Sequence, residues 1–315
     1  MKIGMIGSGA AGSVFASYLR RGGADMYLVD LNKAHMDKVA KDGMIFRDPT
    51  GEYHLDGFHT AYSASEIGVM DIIIVMVKST QTAAVMPSVM PAIGADTVVV
   101  SLQNGLGNDD ELAKFVPLNR IVCGNGVMGT ELPEPGVCVA KPESGVCMQF
   151  GMMEQSDVSY KACMYLKDTF NAGGCGTAYY EDIRPYIWKK AISNGGFNPI
   201  ATLLRLKMGI VGTDENGAWL VWQIWKEACE VAKAAGIRDL WPEMQEEMPK
   251  LVAHLGDYYP SMAQDALMAK RQTEITTLNG KITEYGKKYG VPTPVNETVT
   301  KMLLAIQAHY DQQYQ

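Results

Sequence analysis

The hydrophobic pattern of the 315-residue chain changes its period about halfway along. In the first half, short β-branched runs at residues 1–6, 26–30, 71–77, 97–102 and 120–123 are apolar at successive positions. Strands buried on both faces, as in a parallel sheet, carry this pattern. Helical periods lie between the runs. The clearest is Ala11, Val14, Phe15, Tyr18 and Leu19, whose spacing puts one apolar stripe on a helix facing a sheet. The alternation predicts βαβ units. Two further alternating runs between Val137 and Phe150, separated by Pro142 and Gly145, predict an antiparallel pair finishing the sheet.

From about Ile183 onward the strand pattern stops and helical periods take over. Ala218, Val221, Trp222, Trp225, Ala228, Cys229 and Ala232 form one stripe, read as core because aromatic residues at helical spacing more often pack than bind. A last helix is predicted with Thr293 as N-cap, Pro294 at its first position, and Val299, Met302, Leu303, Ile306 and Tyr310 on one side. The change falls just after Gly173-Gly174-Cys175-Gly176. The expected fold is α/β: a Rossmann-type doubly wound sheet over residues 1–180, followed by an all-helical domain over residues 181–315 that serves substrate binding and dimerisation.

Composition narrows the function classes. Hydrophobic residues at 47% and charged ones at 20% exclude a disordered or collagen-like chain. The net charge is −7 and no basic block stands out, which argues against a nucleic-acid partner. No apolar run reaches the length of a membrane span, and the glycines at 7, 9 and 12 interrupt the one segment that superficially resembles a signal peptide. Six cysteines are scattered without a C-x-x-C pair or neighbouring histidines, so buried reduced thiols in a cytoplasmic protein are expected, with neither a metal site nor a disulfide framework. His254 is assigned no role.

Chemistry enters at Gly7-Ser8-Gly9-Ala10-Ala11-Gly12, a G-x-G-x-x-G that follows a predicted strand, opens an amphipathic helix and precedes Asp30 at the end of the next strand by 18 residues. Each glycine has a reason: Gly7 for the tight turn, Gly9 for close approach of backbone to a pyrophosphate, Gly12 for close helix–strand packing. The helix N-terminus then faces the anionic phosphates. A carboxylate at Asp30 accepts hydrogen bonds from ribose hydroxyls and repels a 2′-phosphate, so NAD(H) is favoured; Lys33 nearby offsets that repulsion and keeps NADP(H) as the alternative.

Two polar loops follow predicted strands, with Lys78 in Val77-Lys78-Ser79-Thr80-Gln81-Thr82 and Asn104 in Gln103-Asn104-Gly105. Ligands bind at that edge of an open α/β sheet, which places both near the nicotinamide. In the second half, Lys190, Asn194 and Asn198 are spaced i, i+4, i+8 and share one helix face. Gly195, Gly196 and Pro199 make that segment a poor helix, so it either continues with a break in its ladder at Pro199 or ends at Asn198.

Read with Ser261-Met262-Ala263-Gln264-Asp265 and Thr273-Glu274-Ile275, these segments resemble the ketopantoate reductase family. The motifs V-K-x-x-Q-T, L-Q-N-G, K-x-x-x-N-x-x-x-N-P, S-M-x-Q-D and T-E-I follow the glycine fingerprint in that order over nearly the whole chain. The resemblance implies hydride transfer from a nicotinamide to a 2-oxo acid, with Lys190 as general acid and Glu274 contacting substrate. It further implies Lys78 and Asn104 at the nicotinamide end, Asn104, Asn194 and Asn198 on substrate oxygens, and Ser261 on the carboxylate. A positioned ammonium suits this chemistry, because hydride arriving at a carbonyl carbon leaves an alkoxide to stabilise and protonate. Ser261 with Gln264 reads equally as a capping box, and Glu274 as a helical partner of Lys270.

Two positions depart from the family pattern. Asp30 stands where members often prefer NADP, and Tyr258-Tyr259-Pro260 stands where an asparagine usually precedes S-M. They open an alternative within the family, an NAD-dependent dehydrogenase for bulky or branched D-2-hydroxy acids. A non-catalytic dinucleotide-binding redox sensor is a third reading, opposed by the presence of Lys190 and Glu274. A homodimer is expected.

Overall fold

The computed structural model describes every residue except Glu143, Ser144, Leu255, Asp257, Tyr314 and Gln315; the side chain of His254 also lies outside the described residues. In chain order the strands are β1 (Lys2–Ile6), β2 (Asp25–Val29), β3 (Met44–Asp48), β4 (Gly51–Leu55), β5 (His59–Ala61), β6 (Met70–Val75), β7 (Ile93–Ser101), β8 (Ile121–Gly126), β9 (Met128–Glu134), β10 (Val137–Pro142), β11 (Met148–Met152) and β12 (Thr177–Tyr179). The helices are α1 (Ala10–Arg21), α2 (Lys33–Asp42), α3 (Thr82–Val89), α4 (Asn108–Leu112), α5 (Asp157–Ala172), α6 (Arg184–Leu204), α7 (Met208–Thr213), α8 (Glu215–Ala234), α9 (Trp241–His254), α10 (Ser261–Ala263), α11 (Asn279–Tyr289) and α12 (Pro294–Ala308). They fall into two compact units, Met1–Gln103 with Asn108–Ile183, and Asn104–Gly107 with Arg184–Gln315.

In the first unit, the five apolar runs of the sequence all become strands of one eight-stranded sheet, ordered β12-β11-β8-β7-β6-β1-β2-β5 among the described residues. From β8 to β5 every pairing is parallel. Ile3, Met5, Ile72, Ile73 and Ile74 are wholly buried, as strands covered on both faces must be. The chain leaves β1 toward β2 and β5, then resumes on the other side of β1 at β6. That reversal makes the carboxyl ends of β1 and β6 a topological switch point, and the arrangement is the Rossmann-type doubly wound one.

The expected antiparallel pair between Val137 and Phe150 does not form. β10 pairs with β9 and β3 in a separate four-stranded sheet, β4-β3-β10-β9, whereas β11 pairs antiparallel with β8 and parallel with β12. Both runs alternate, so the pattern names a strand without naming its neighbour. The two strands pack against different helices: β10 lies on α1, where the Ser17 hydroxyl is 3.4 Å from Cys138 Sγ, and β11 lies on α5.

Among its described residues the second unit consists of helices joined by loops, with no strand. α6 packs against α7, α8, α10 and α12. Trp225, wholly buried, meets Phe197 edge-to-face, with ring centroids 5.8 Å apart, so the tryptophan stripe of α8 is core at that position while Trp219 at its start is exposed. α12 begins at Pro294 behind Thr293, but its free N–H groups are satisfied from elsewhere: the Glu227 carboxylate on α8 accepts from Val295 and Asn296, each at 2.9 Å. Val299 and Leu303 face the core; Met302 is exposed, contrary to the predicted stripe, because the buried arc is narrower than the spacing allows.

Candidate active site

The glycine fingerprint occupies the turn from β1 into α1. Gly7 sits at φ +93°, a left-handed conformation that a Cβ would strain, and a Cβ there would also meet the Val77 nitrogen at 2.7 Å. A Cβ on Gly12 would fall 2.0 Å from the Gly7 carbonyl oxygen, so helix and turn approach as only glycine permits. Gly9 is different: a Cβ on it would meet nothing within 4 Å. Gly9 is also the N-cap of α1 and brings no side-chain capping bond, so the first N–H groups of the helix, at Ala10 and Ala11, have no side-chain cap.

Asp30 follows β2 and is half-buried. Its Oδ2 accepts from the Ser8 N–H at 2.7 Å and its Oδ1 from the Asn32 N–H at 2.8 Å. These two bonds lock the carboxylate against the glycine turn. Beyond it, Leu31 is 86% exposed, and the Lys33 ammonium lies 5.8 Å from the centre of the Tyr62 ring.

Lys78 is half-buried three residues beyond the carboxyl end of β6. The preceding carbonyl, that of Val77, accepts from the Gln103 side chain at 2.7 Å. Gln103 also donates to Thr82 Oγ1 at 2.9 Å and accepts from Ser101 at 2.8 Å. This buried amide, which sequence reasoning passed over, joins the loop carrying Lys78 to the end of β7.

Asn104 comes next in the chain and packs with the helical unit. The Leu106 N–H donates to the Thr277 carbonyl at 2.8 Å, and Leu106 is buried in the helical core. Gly105, at φ +94°, would drive a Cβ to 2.7 Å from the Thr277 carbonyl oxygen. The same turn holds Glu274, whose carbonyl accepts from the Thr277 and Leu278 N–H groups at 3.1 Å each. Asn104 and Glu274 are thereby tied to one turn. Residues 270–274 are not helical, so the helical Lys270–Glu274 spacing weighed from the sequence does not apply.

α6 carries Lys190, Asn194 and Asn198 along one face. Lys190 and Asn194 are half-buried and Asn198 is 7% exposed. The helix does not end at Asn198; it runs on through Pro199 to Leu204. One of its unfavourable glycines has a packing reason: a Cβ on Gly196 would lie 2.2 Å from Trp225 Nε1. Pro199 has no N–H for the Gly195 carbonyl, and the Asn279 side chain donates there instead, at 2.8 Å. Asn279 carries no local signal and was not anticipated. The adjacent Lys189 points to another side of the helix, where Glu243 and Glu247 of α9 hold it in a structural ion-pair cluster.

Ser261 opens α10, which packs on α6. Pro260 occupies the N-cap, so the capping box is not formed: the Ser261 hydroxyl is exposed and makes no hydrogen bond among the described residues, and Gln264 donates to the Tyr259 carbonyl at 3.0 Å. Asp265, 5% exposed, pairs with Arg271 at 2.5 Å. No cluster of three or more metal-ligating side chains occurs among the described residues, and no helix there is long and apolar enough to cross a membrane.

Models of the family described as ketopantoate reductase PanE/ApbA match residues 3–153, and those of its C-terminal part match residues 182–307. The 2-dehydropantoate 2-reductase of Aquifex aeolicus (strain VF5) is 30% identical over 314 residues, spanning 97% of this chain and 96% of its own. The corresponding enzyme of Pyrococcus horikoshii is 31% identical over 298 residues, 94% of each. Among solved structures, D-mandelate dehydrogenase with NADH has a TM-score of 0.85 at 28% identity, covering 98% of this chain and 99% of that one. Its ternary structure with NADH and anilino(oxo)acetate gives 0.84 at 28%, covering 99% and 100%. Matched in both halves by the family's models and along its whole length by family members, the chain belongs to the ketopantoate reductase family.

Proposed function

We propose that the chain reduces a 2-oxo acid to the 2-hydroxy acid, as the 2-dehydropantoate 2-reductases do, with NADH as the preferred reductant. The observation that carries this is the face of α6: a half-buried lysine and two asparagines in line on a helix that buries Ala191, Ile192 and Phe197 in the core of its unit. The first unit fits a dinucleotide. Open space over Gly9, the uncapped start of α1 and the locked Asp30 carboxylate suit a pyrophosphate with a ribose beside it.

Bound reduced nicotinamide supplies hydride to the keto carbon. Lys190 holds the keto oxygen and delivers a proton to it as negative charge develops there. Asn194 and Asn198 bind substrate oxygens, Ser261 the carboxylate, and Glu274 the substrate's far side. Lys78 and Asn104 line the nicotinamide end, with Gly7, Ser8, Ala10, Ala11 and Gly12 forming the phosphate turn.

A second reading, an NAD-dependent dehydrogenase of bulky or branched D-2-hydroxy acids, is favoured by Asp30, by exposed Leu31 beside it, and by Tyr258 and Tyr259 ahead of Ser261. The similarity to D-mandelate dehydrogenase with NADH supports it. A homodimer accords with the exposed Trp219 of α8, and a cytoplasmic setting with six buried free thiols.

The test is NADH oxidation with a panel comprising ketopantoate, phenylglyoxylate and branched aliphatic 2-oxo acids. Turnover of ketopantoate above the rest supports the first reading, and turnover of the bulky acids the second. Tight NADH binding without turnover of any of them would replace both with the sensor.

A further inference from the structure

His35 is wholly buried at the start of α2, although its segment reads as a polar surface helix. Its Nδ1 accepts from the Gly136 N–H at 2.9 Å, in the turn between β9 and β10. A backbone N–H can only donate, so the proton of the neutral ring sits on Nε2. Nε2 lies 3.1 Å from Ser13 Oγ and donates to it, and that hydroxyl donates in turn to the Ser8 carbonyl at 2.8 Å. The line of donors therefore ends on the second residue of the glycine fingerprint.

The direction of that last bond matters. The peptide joining Ser8 to Gly9 is planar and trans, so its C=O and N–H point opposite ways. Ser13 holds the carbonyl from the buried side of α1, which turns the Gly9 N–H the opposite way, and a Cβ on Gly9 would meet nothing within 4 Å. Asp30 fixes the other side of Ser8 through its N–H. A serine hydroxyl alone is a free rotor; a donor behind it leaves its own proton committed to Ser8.

We propose that His35 is a positioning residue for the dinucleotide: through Ser13 it orients the Ser8–Gly9 peptide so that the Gly9 N–H is presented to a phosphate oxygen. This rests on the dinucleotide reading of the preceding section. His35 touches no ligand, and its effect is on cofactor affinity rather than on the proton transfer assigned to Lys190.

Three variants separate this from a merely structural role. His35→Gln places an amide nitrogen near the Nε2 position and keeps the donor to Ser13. His35→Asn places its amide near Nδ1, keeping an acceptor for Gly136 while losing that donor. Ser13→Ala removes the relay at the cost of one hydroxyl. NADH affinity, read by fluorescence titration with thermal melts as the fold control, should stay near wild type in His35→Gln. It should weaken about three- to tenfold in His35→Asn and in Ser13→Ala, as loss of one hydrogen bond implies. Combining the last two should weaken it no further.

Unchanged affinity in Ser13→Ala, or tighter binding by His35→Asn than by His35→Gln, overturns the proposal while leaving the dinucleotide reading intact. Wild-type protein that binds neither NADH nor NADPH overturns both.

Discussion

The Asn279 side chain donates to the Gly195 carbonyl at 2.8 Å, taking the acceptor that Pro199 leaves without its helical donor. The same amide nitrogen donates to Asn296 Oδ1 at 3.0 Å, and Asn296 in turn reaches the Glu227 carboxylate at 2.8 Å. A break in α6 beside its polar face is thus closed by a buried network from α11, α12 and α8. Asn279→Ala should cost about 2–4 kcal/mol in urea unfolding, because two buried acceptors lose their donor. Restoring an N–H with Pro199→Ala should recover part of the loss in that background and little in the wild type. A fully stable Asn279→Ala, or a Pro199→Ala effect equal in both backgrounds, would show that the amide does not substitute for the missing helical bond.

That network marks a boundary of what the chain discloses on inspection. The parallel strands were readable because Ile72, Ile73 and Ile74 leave no polar face to confuse with a surface. The turn at Gly7 and Gly12 was readable because its spacing is local. β3, β4 and β9 give little signal because charged residues interrupt or end them, and the alternation of β10 carries no address for its neighbour. Asn279 meets Gly195 across 84 positions and Gly136 meets His35 across 101, and no window of sequence contains either pair. Lys190, Asn194 and Asn198 were found from helical spacing, but the reason Gly196 is tolerated among them lies in Trp225, on another helix.

Lys190 is assigned the proton, and Lys189 the ion pairs with α9. Lys190→Ala should lower kcat by about 10²- to 10⁴-fold, the range for loss of a positioned general acid, while the Kd for NADH stays near wild type. Lys189→Ala should leave kcat within a small factor of wild type and act on stability. Wild-type turnover in Lys190→Ala would remove the mechanism.

Asp30 should set the choice between NADH and NADPH. Its carboxylate is locked by two backbone donors and cannot swing away from a 2′-phosphate, while the Lys33 ammonium is engaged over Tyr62. Asp30→Asn keeps an acceptor in place and removes the like charge. The ratio of kcat/KM for NADPH to that for NADH should therefore rise by roughly tenfold or more. An unchanged ratio would mean that the preference is decided elsewhere.

The buried His35 also makes stability depend on pH, with a sign that follows from its surroundings. Burial holds the imidazole below its ordinary value of 6.5, and the Asp30 carboxylate, the charged group acting on it, pulls only partly the other way. Protonation would put a hydrogen on Nδ1, where the Gly136 N–H already points. The folded ring therefore stays neutral where the unfolded chain has begun to bind a proton. This contribution is fully present above pH 6.5 and is lost as the pH falls from there through the folded value. Thermal melts at about pH 7.5 and about pH 5.5 should show a larger drop for wild type than for His35→Gln, since the carboxylates common to both cancel in the comparison. Equal drops in the two proteins would mean that His35 takes up its proton in the fold as readily as in the unfolded chain, and the buried neutral ring would have to be abandoned.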